Sequence, residues 1–236
     1  MKTFAPLALL IVTASAAFAA DEVVFNCENL DGWQKAGNWV TANSVSLNRT
    51  NDHLFVIEPG KGIIVNGPIG RTVELLTKQE FGDCQVHVEF CVSKKSNSGV
   101  YLMGRYEVQV YDSFGVEKDQ YPGIECGGIY ARWDDKKKER IEGHSPRVNV
   151  SKPAGEWQSF DITFRAPRFD ASGKKTENAK FAKVIHNGTV VHENVEVTGP
   201  TRATISETEV AAGPLRLQGD HGPVAYRNIR IKPLHL

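Results

Sequence analysis

Hydrophobic and polar residues alternate with a period of two along several stretches of the chain. The apolar members of three such stretches are Val86, Val88 and Phe90; Tyr106, Val108 and Val110; and Phe160, Ile162 and Phe164. Alternation of this kind is typical of an antiparallel strand that buries one face and leaves the other face polar. The pattern therefore predicts strands, and evidence for helices is weak.

Turn residues separate these alternating stretches. Asn187-Gly188 divides the segment 183–192 into two halves, and this dipeptide supplies the positive φ angles of a type I′ hairpin turn. The segments 215–218 and 224–231 are predicted to be closing strands, whereas 73–81 is expected to hold one or two helical turns. Many short strands joined by turns predict an all-β fold, an antiparallel β-sandwich or jelly roll.

The start of the chain has the composition of a secretory signal peptide. Lys2 is followed by an apolar stretch at 7–12 and by a small-x-small cleavage pattern at 17–19. The apolar stretch is too short to span a bilayer, so no membrane insertion is expected. We therefore predict a signal peptide over 1–20, a single domain over 21–236 and a secreted or periplasmic protein.

The charge of the chain is balanced, with 28 basic and 28 acidic residues. Proteins that bind nucleic acid need a basic excess on one face, so nucleic acid is not an expected partner. Four cysteines, Cys27, Cys84, Cys91 and Cys126, could form one disulfide after export or all remain buried thiols. An odd spacing places Cys84 and Cys91 on opposite faces of one predicted strand, so they cannot bond to each other.

A polar face follows one of the predicted strands. Arg105, Glu107 and Gln109 alternate with apolar residues, so they are expected to project from one side of the sheet, about 6.6 Å apart. Such a face is either a solvated surface with a cross-strand ion pair or the floor of a polar cleft. The segment 97–99 before the strand and the irregular stretch 113–154 after it favour the cleft, because sites form where loops overhang a rigid scaffold.

Residues outside this strand could also contact a ligand. Tyr130 and Trp133 offer aromatic faces to sugar rings, or alternatively anchor their loop to the sheet. Asn149 offers an amide that can both donate and accept hydrogen bonds. Gln218 precedes an Asp-His pair in which His221 could transfer a proton or bind a metal, although a plain turn has the same composition.

Several catalytic motifs are absent from the sequence. It contains no G-x-S-x-G nucleophile elbow, no H-E-x-x-H motif and no cysteine spacing typical of zinc. Ordinary glycoside hydrolysis needs two carboxylates, and Glu107 is the only acid that the alternation assigns to a cleft. His87, on the polar face of another predicted strand, is interpreted as a surface histidine, and no metal ligands are predicted.

The run NSGVYLMGRYEVQVYD at 97–112 resembles the signature of the 3-keto-disaccharide hydrolase domain family. Further matches follow in the family's order at 126–130, 149–167, 213–222 and 227–234, so the resemblance covers essentially the whole chain after the signal peptide. The chain departs from the usual pattern at 132–147, where it is longer. The resemblance implies the fold of the concanavalin A-like lectins and glucanases, with two curved antiparallel sheets and ligand on the concave face.

The resemblance also implies an exported enzyme that acts on a glycoside whose sugar is oxidised at C3. The ketone acidifies the C2 proton, so a single base can start β-elimination at C1, and addition of water completes a net hydrolysis. We interpret Glu107 as the base, Arg105 as the stabiliser of the enolate and His221 as the acid. The expected substrate-binding residues are Gln109, Tyr130, Trp133, Asn149 and Gln218.

Two other functions use the same sequence features. A non-catalytic, lectin-like module would bind a glycan in the same cleft without turnover, and a cell-surface interaction domain would expose an apolar patch instead. A divalent cation such as calcium could replace Arg105 in stabilising the enolate, although no Asp-rich loop requires one. The expected partner is a carbohydrate.

Overall fold

Strands account for all the regular secondary structure in the part of the chain that the computed structural model describes, residues 22–117 and 124–236. The predicted signal peptide lies outside these residues. The strands are β1 Val23–Phe25, β2 Val40–Leu47, β3 Phe55–Val65, β4 Leu75–Phe81, β5 Cys84–Val92, β6 Asn97–Leu102, β7 Tyr106–Tyr111, β8 Arg132–Asp134, β9 Glu139–Ile141, β10 Gln158–Arg165, β11 Arg168–Phe169, β12 Lys175–Glu177, β13 Ala179–His186, β14 Thr189–Val197, β15 Gly213–Leu217 and β16 Val224–Pro233. Within the described ranges, no helix is long and apolar enough to cross a membrane.

Two antiparallel sheets pack face to face. The larger sheet has the order β14-β13-β10-β5-β16-β3-β2, with β1 paired to β16, and the smaller sheet has the order β4-β15-β6-β7. One large cluster of buried side chains fills the space between them, and it includes the apolar face of β10 and that of β7. The arrangement confirms the predicted all-β sandwich, because each sheet buries one face against the other.

The segment 73–81 corrects the sequence-based expectation of helical turns. Leu75–Phe81 is strand β4, which pairs antiparallel with β15 from Leu75↔Leu217 to Phe81↔Gly213. The side chain of Thr77 is buried beside β15, and its hydroxyl accepts a hydrogen bond from the Leu215 amide over 2.9 Å. Pairing with a neighbouring strand overrides a weak local preference for a helix, since tertiary contacts decide short ambiguous segments.

The predicted hairpin at 183–192 is confirmed. Strands β13 and β14 meet at Asn187 and Gly188, whose φ angles are 50° and 80°. Both angles are positive, as a type I′ turn requires, and asparagine and glycine are the residues that adopt them at the smallest energetic cost.

All four cysteines are free and buried. Cys84 belongs to the main core between the sheets, whereas Cys91 belongs to a second apolar cluster on the other side of β5. The prediction that these two residues lie on opposite faces is therefore confirmed. Burial raises the pKa of each of the four thiols to about 12, so they are unreactive at neutral pH.

Two irregular segments frame the outer face of the smaller sheet. Residues 127–130 run along β7, where the Gln109 amide donates to the Gly128 carbonyl and the Tyr130 amide donates to the Glu107 carbonyl. Residues 198–212 lie beside the same strand, and the Thr201 amide donates to the Arg105 carbonyl over 2.9 Å. Tyr130 from the first segment and Arg202 and Ala203 from the second line a cleft on this face.

Candidate active site

The floor of the cleft is the polar face of strands β6, β7 and β15. In the strand register Tyr101 lies opposite Glu107, and Arg216 lies opposite Tyr101. These three side chains project to the same side because cross-strand partners share a face. The cleft has a volume of about 320 Å³, and it is lined by Asn97, Tyr101, Glu107, Tyr130, Arg202, Ala203, Gln218 and His221.

Glu107 is the buried acid of this cleft, with 2% of its surface exposed. Burial raises the pKa of its carboxyl to about 8, although a hydrogen bond from the Tyr101 hydroxyl and the charge of Arg216 oppose the rise. Burial and the neighbouring Glu107 also raise the pKa of Tyr101, so this phenol stays protonated and donates to the carboxylate. Glu107 is thus a carboxyl whose proton affinity suits proton transfer near neutral pH.

Arg216 holds Tyr101 in place. Its guanidinium lies 4.1 Å from the centroid of the Tyr101 ring and forms a bidentate pair with Glu74, at 3.0 Å from Nε and 2.9 Å from Nη2. Its remaining nitrogen donates to the Ala203 carbonyl. A buried guanidinium that is hydrogen-bonded through each of its three nitrogens fixes the ring it contacts, and it partly offsets the charge of Glu107.

Gly99 leaves the space that the Glu107 carboxyl occupies. A Cβ atom at this position would overlap Oε1 of Glu107 and would lie 2.7 Å from the Tyr101 ring. We expect Gly99→Ala to displace the carboxyl and to lower turnover of the substrate proposed below by about tenfold to a hundredfold, since misplacement of a catalytic group by 1 Å has effects of this size. Gly173→Ala, on a turn between β11 and β12 where a Cβ atom meets no neighbour but the φ of 81° strains the backbone, controls for the destabilisation caused by replacing a glycine and should leave kcat unchanged. Unchanged kcat in Gly99→Ala, with an unchanged melting temperature, would contradict this role.

Gln109 orients the amide of Asn97. Gln109 is 1% exposed, and its Nε2 donates to Oδ1 of Asn97 over 2.7 Å. The Asn97 oxygen is therefore engaged, and its amide nitrogen is left as the donor available to the cleft. Oε1 of Gln109 has no hydrogen-bond partner among the described residues, which is a common sign that a polar group is completed by water or ligand.

His221 lies at the rim of the cleft and forms a pair with Asp220. Nδ1 of His221 is 2.5 Å from Oδ1 of Asp220 and 3.1 Å from Nε2 of Gln218. If Nδ1 donates its proton to Asp220, then Nε2 of the ring is free to exchange a proton with a ligand. The structure thus brings four of the candidate residues, Glu107, Tyr130, Gln218 and His221, together in the lining of one cleft.

Arg105 does not reach the cleft, which corrects the expectation drawn from alternation. Its Nε donates to the Thr208 carbonyl and its Nη1 donates to the Met103 carbonyl, both over 2.8 Å. Strand β7 begins only at Tyr106, and a turn with positive φ angles at Met103 and Gly104 precedes it. The period of two therefore does not extend to Arg105, whose guanidinium binds the neighbouring loop.

Asn149 and Trp133 also lie outside the cleft lining. Nδ2 of Asn149 donates to the carbonyls of Ser113 and Val116, over 2.6 and 2.8 Å, so its amide joins two loops. The Trp133 ring stacks under the guanidinium of Arg202, with 4.4 Å between Cζ and the ring centroid. Trp133 thus supports a cleft residue from behind, and no direct contact of its own with the cleft is observed.

His87 lies on the larger sheet, far from this face in the fold. Its Nδ1 is 2.7 Å from Oδ1 of Asp161 on the neighbouring strand β10. The interpretation of His87 as a surface histidine is confirmed.

Sequence reasoning did not assign four residues that build the site: Asn97, Tyr101, Arg202 and Arg216. Alternation could have identified three of them. Asn97 and Tyr101 share the face of Gly99 on β6, and Arg216 alternates with two buried leucines on β15. Arg202 lies in an irregular segment, where no periodic signal exists.

Residues 22–117 and 124–236 contain no group of three or more His, Cys, Asp or Glu side chains that could hold a metal ion. The side chains at the cleft thus do not form the carboxylate-rich set that calcium usually requires.

The sequence profile of the 3-keto-alpha-glucoside-1,2-lyase-like domain family matches residues 20–232. The chain belongs to this family. The match confirms the resemblance that the motifs indicated, and it places the chain among carbohydrate-active, glycosyl hydrolase-like domains. A comparison with curated proteins found no match.

Solved structures support the fold of the family. A candidate glycosyl hydrolase from Parabacteroides distasonis ATCC 8503 is similar with a TM-score of 0.63 and 27% identity, over 91% of this chain and 84% of that chain. A second candidate glycosyl hydrolase from the same organism has a TM-score of 0.56 and 18% identity, over 91% of this chain and 100% of that one. The second likeness concerns the fold alone.

Proposed function

We propose that this chain cleaves 3-keto-glycosides by removing the proton at C2 and eliminating the substituent at C1. The observation that carries the proposal is Glu107, a buried carboxyl at the floor of a polar cleft with its pKa raised to about 8. Membership of a lyase-like family supports the same reaction class.

The reaction needs one base, because the ketone at C3 makes the C2 proton acidic. The Glu107 carboxylate takes this proton, and the electron pair of the C2–H bond delocalises onto the C3 oxygen as an enolate. Collapse of the enolate forms a double bond between C1 and C2 and breaks the glycosidic C1–O bond. The departing oxygen takes a proton from His221, and addition of water at C1 and C2 then gives the free keto-sugar.

The residues around Glu107 suit these steps. Tyr101, fixed by Arg216, donates to the Glu107 carboxylate and orients it. The amide nitrogen of Asn97 is the donor we assign to the C3 oxygen, in place of Arg105, since a donor aimed at developing charge stabilises the enolate. Tyr130 and Gln218 line the same cleft and are assigned to the sugar hydroxyls.

The cleft suits ordinary glycoside hydrolysis less well. That reaction uses two carboxylates on either side of the bond. Glu107 is the only acid among the eight residues that line the cleft, and nearby Glu74 is paired with Arg216. A single carboxylate is sufficient for elimination from a keto-sugar.

Turnover of matched substrates tests the proposal. We expect the purified protein to release p-nitrophenol from p-nitrophenyl 3-keto-glucoside and to leave the unoxidised glucoside intact, since only the ketone acidifies C2. Equal rates on both glucosides would indicate an ordinary glycosidase. Calorimetric binding of the unoxidised glucoside without turnover of the keto form would support the lectin-like alternative instead.

We also propose that the protein acts after export, on the basis of the signal-like segment 1–20.

A further inference from the structure

Besides Arg216 on the floor, two arginines near the cleft have a guanidinium group that lies against an aromatic ring. The Cζ atom of Arg202 is 4.4 Å from the centroid of the Trp133 ring, and that of Arg140 is 5.8 Å from the centroid of the Tyr130 ring. Trp133 and Arg140 are cross-strand partners in the hairpin β8–β9. Trp133 of this hairpin supports Arg202, which lines the cleft, and Arg140 of the same hairpin lies over the ring of Tyr130, another residue of the lining.

Neither arginine forms a salt bridge with a carboxylate in the described residues. Other exposed or half-exposed arginines do form such pairs: Arg132 with Glu142, Arg147 with Glu193, Arg165 with Glu177, and Arg168 with Asp83. Asp220, the neighbour of the rim residue His221, is bound to that histidine. Arg202 and Arg140 are therefore positive charges that no described acid neutralises.

Stacking on an aromatic ring prepares a guanidinium to bind an anion. The ring restricts the rotation of the long side chain, and it leaves the edge of the guanidinium, with its parallel N–H groups, free. A carboxylate matches this edge with two hydrogen bonds. Glu107 and Arg202 line the cleft from different segments, strand β7 and residues 198–212, so we assign the group that meets Arg202 to the leaving group and the C2 proton to Glu107.

We propose that Arg202, supported by Trp133 and assisted by Arg140, forms a subsite for a carboxylate on the leaving group of the substrate. The substrate class is then a 3-keto-glycoside linked to a sugar acid or another carboxylate-bearing alcohol. Turnover of a carboxylate-bearing substrate rests on the proposed function, whereas binding of a carboxylate by Arg202 does not.

A pair of nearly isosteric probes tests the subsite. The 3-keto-glucosides of 4-hydroxybenzoate and 4-hydroxybenzamide differ in one charge, and their unoxidised glucosides serve as binding probes for calorimetry. We expect Arg202→Gln to reduce the ratio of kcat/KM for the carboxylate over the amide by about tenfold, the effect of one charge-assisted pair at a partly exposed site. The dissociation constants of the unoxidised glucosides should change in the same ratio, and high salt should weaken the preference of the wild type.

Lys136→Gln is the matched control, because it also removes one positive charge, at an exposed position in the turn of the hairpin β8–β9 that carries Trp133 and Arg140, where no ring contact is lost. It should leave both ratios unchanged. The proposal would be overturned if the wild type and Arg202→Gln showed the same preference for the carboxylate over the amide, both in kcat/KM and in the dissociation constants. If neither keto-glucoside is turned over, the proposed function fails, and the calorimetric ratio still decides whether the subsite exists.

Discussion

Replacing Glu107 with glutamine is expected to lower kcat for a 3-keto-glucoside by about a thousandfold or more, the upper range for loss of a general base. Glutamine has the same shape and keeps an oxygen for the Tyr101 hydroxyl, but it cannot accept the C2 proton. In the wild type, kcat/KM should rise with pH up to about 8, because burial raises the pKa of Glu107 to that value and the base must be ionised. Stopped-flow or continuous absorbance assays of aglycone release measure both effects.

The same substitution should make the protein more stable at alkaline pH. The folded-state pKa of Glu107 is raised above its ordinary value of 4.5, so the folded state holds this proton more tightly than the unfolded state. The free energy of unfolding of the wild type therefore falls as pH rises from about 4.5 to about 8, by about 1.4 kcal/mol for each pH unit. Glu107→Gln removes this penalty, and urea unfolding at pH 9 should show a gain of a few kcal/mol. A variant that loses activity and also unfolds more easily at pH 9 would indicate a structural role instead.

Acid is expected to destabilise the protein through two buried histidines. Burial lowers the pKa of His186 to about 3 and that of His192 to about 4, from an ordinary value of 6.5. The unfolded state binds more protons than the folded state below about pH 6.5, so stability falls as pH decreases through this window. Each histidine contributes about 1.4 kcal/mol per pH unit, down to its own folded-state pKa. Nε2 of His192 is also bonded to the Gly127 carbonyl over 2.9 Å. His192 therefore ties β14 to the segment 127–130, which carries Tyr130.

The variant His186→Phe checks the histidine prediction. The His186 ring packs 4.9 Å from the Phe160 ring and 5.9 Å from the Phe90 ring, so phenylalanine keeps these ring contacts and does not titrate, but it gives up the 3.0 Å hydrogen bond between Nε2 and Oε1 of Gln158. The midpoint of acid unfolding, followed by circular dichroism, should move to lower pH. His235→Gln, at an exposed position, should leave the midpoint unchanged. An unchanged midpoint in His186→Phe would show that this histidine does not control acid stability.

The alternation with a period of two was sufficient to predict to which face of the sheet most side chains within a strand point. The faces of β5, β7 and β10 follow from alternation, and so does the position of Glu107 in the cleft. This success has a local cause, since the side of the sheet to which a residue points depends only on its parity within the strand.

The sequence could not indicate contacts that depend on where a strand starts or on how loops fold back. Arg105 lies one residue outside β7, and the turn at Met103 and Gly104 redirects it to the Thr208 carbonyl. Asn149 and Arg202 lie in irregular segments, so their partners come from distant parts of the chain. The pKa of Glu107 also depends on burial by such segments and could not be derived from alternation.

The position of β16 in the larger sheet bears on how the protein is made. This strand, at 224–233, is the last one in the described chain, yet it lies between β5 and β3. During synthesis, β5 and β3 each have an edge without a partner until residues 224–233 leave the ribosome and β16 can pair with both strands. Such edges favour aggregation or capture by chaperones. The topology therefore delays completion of the larger sheet until β16 has left the ribosome.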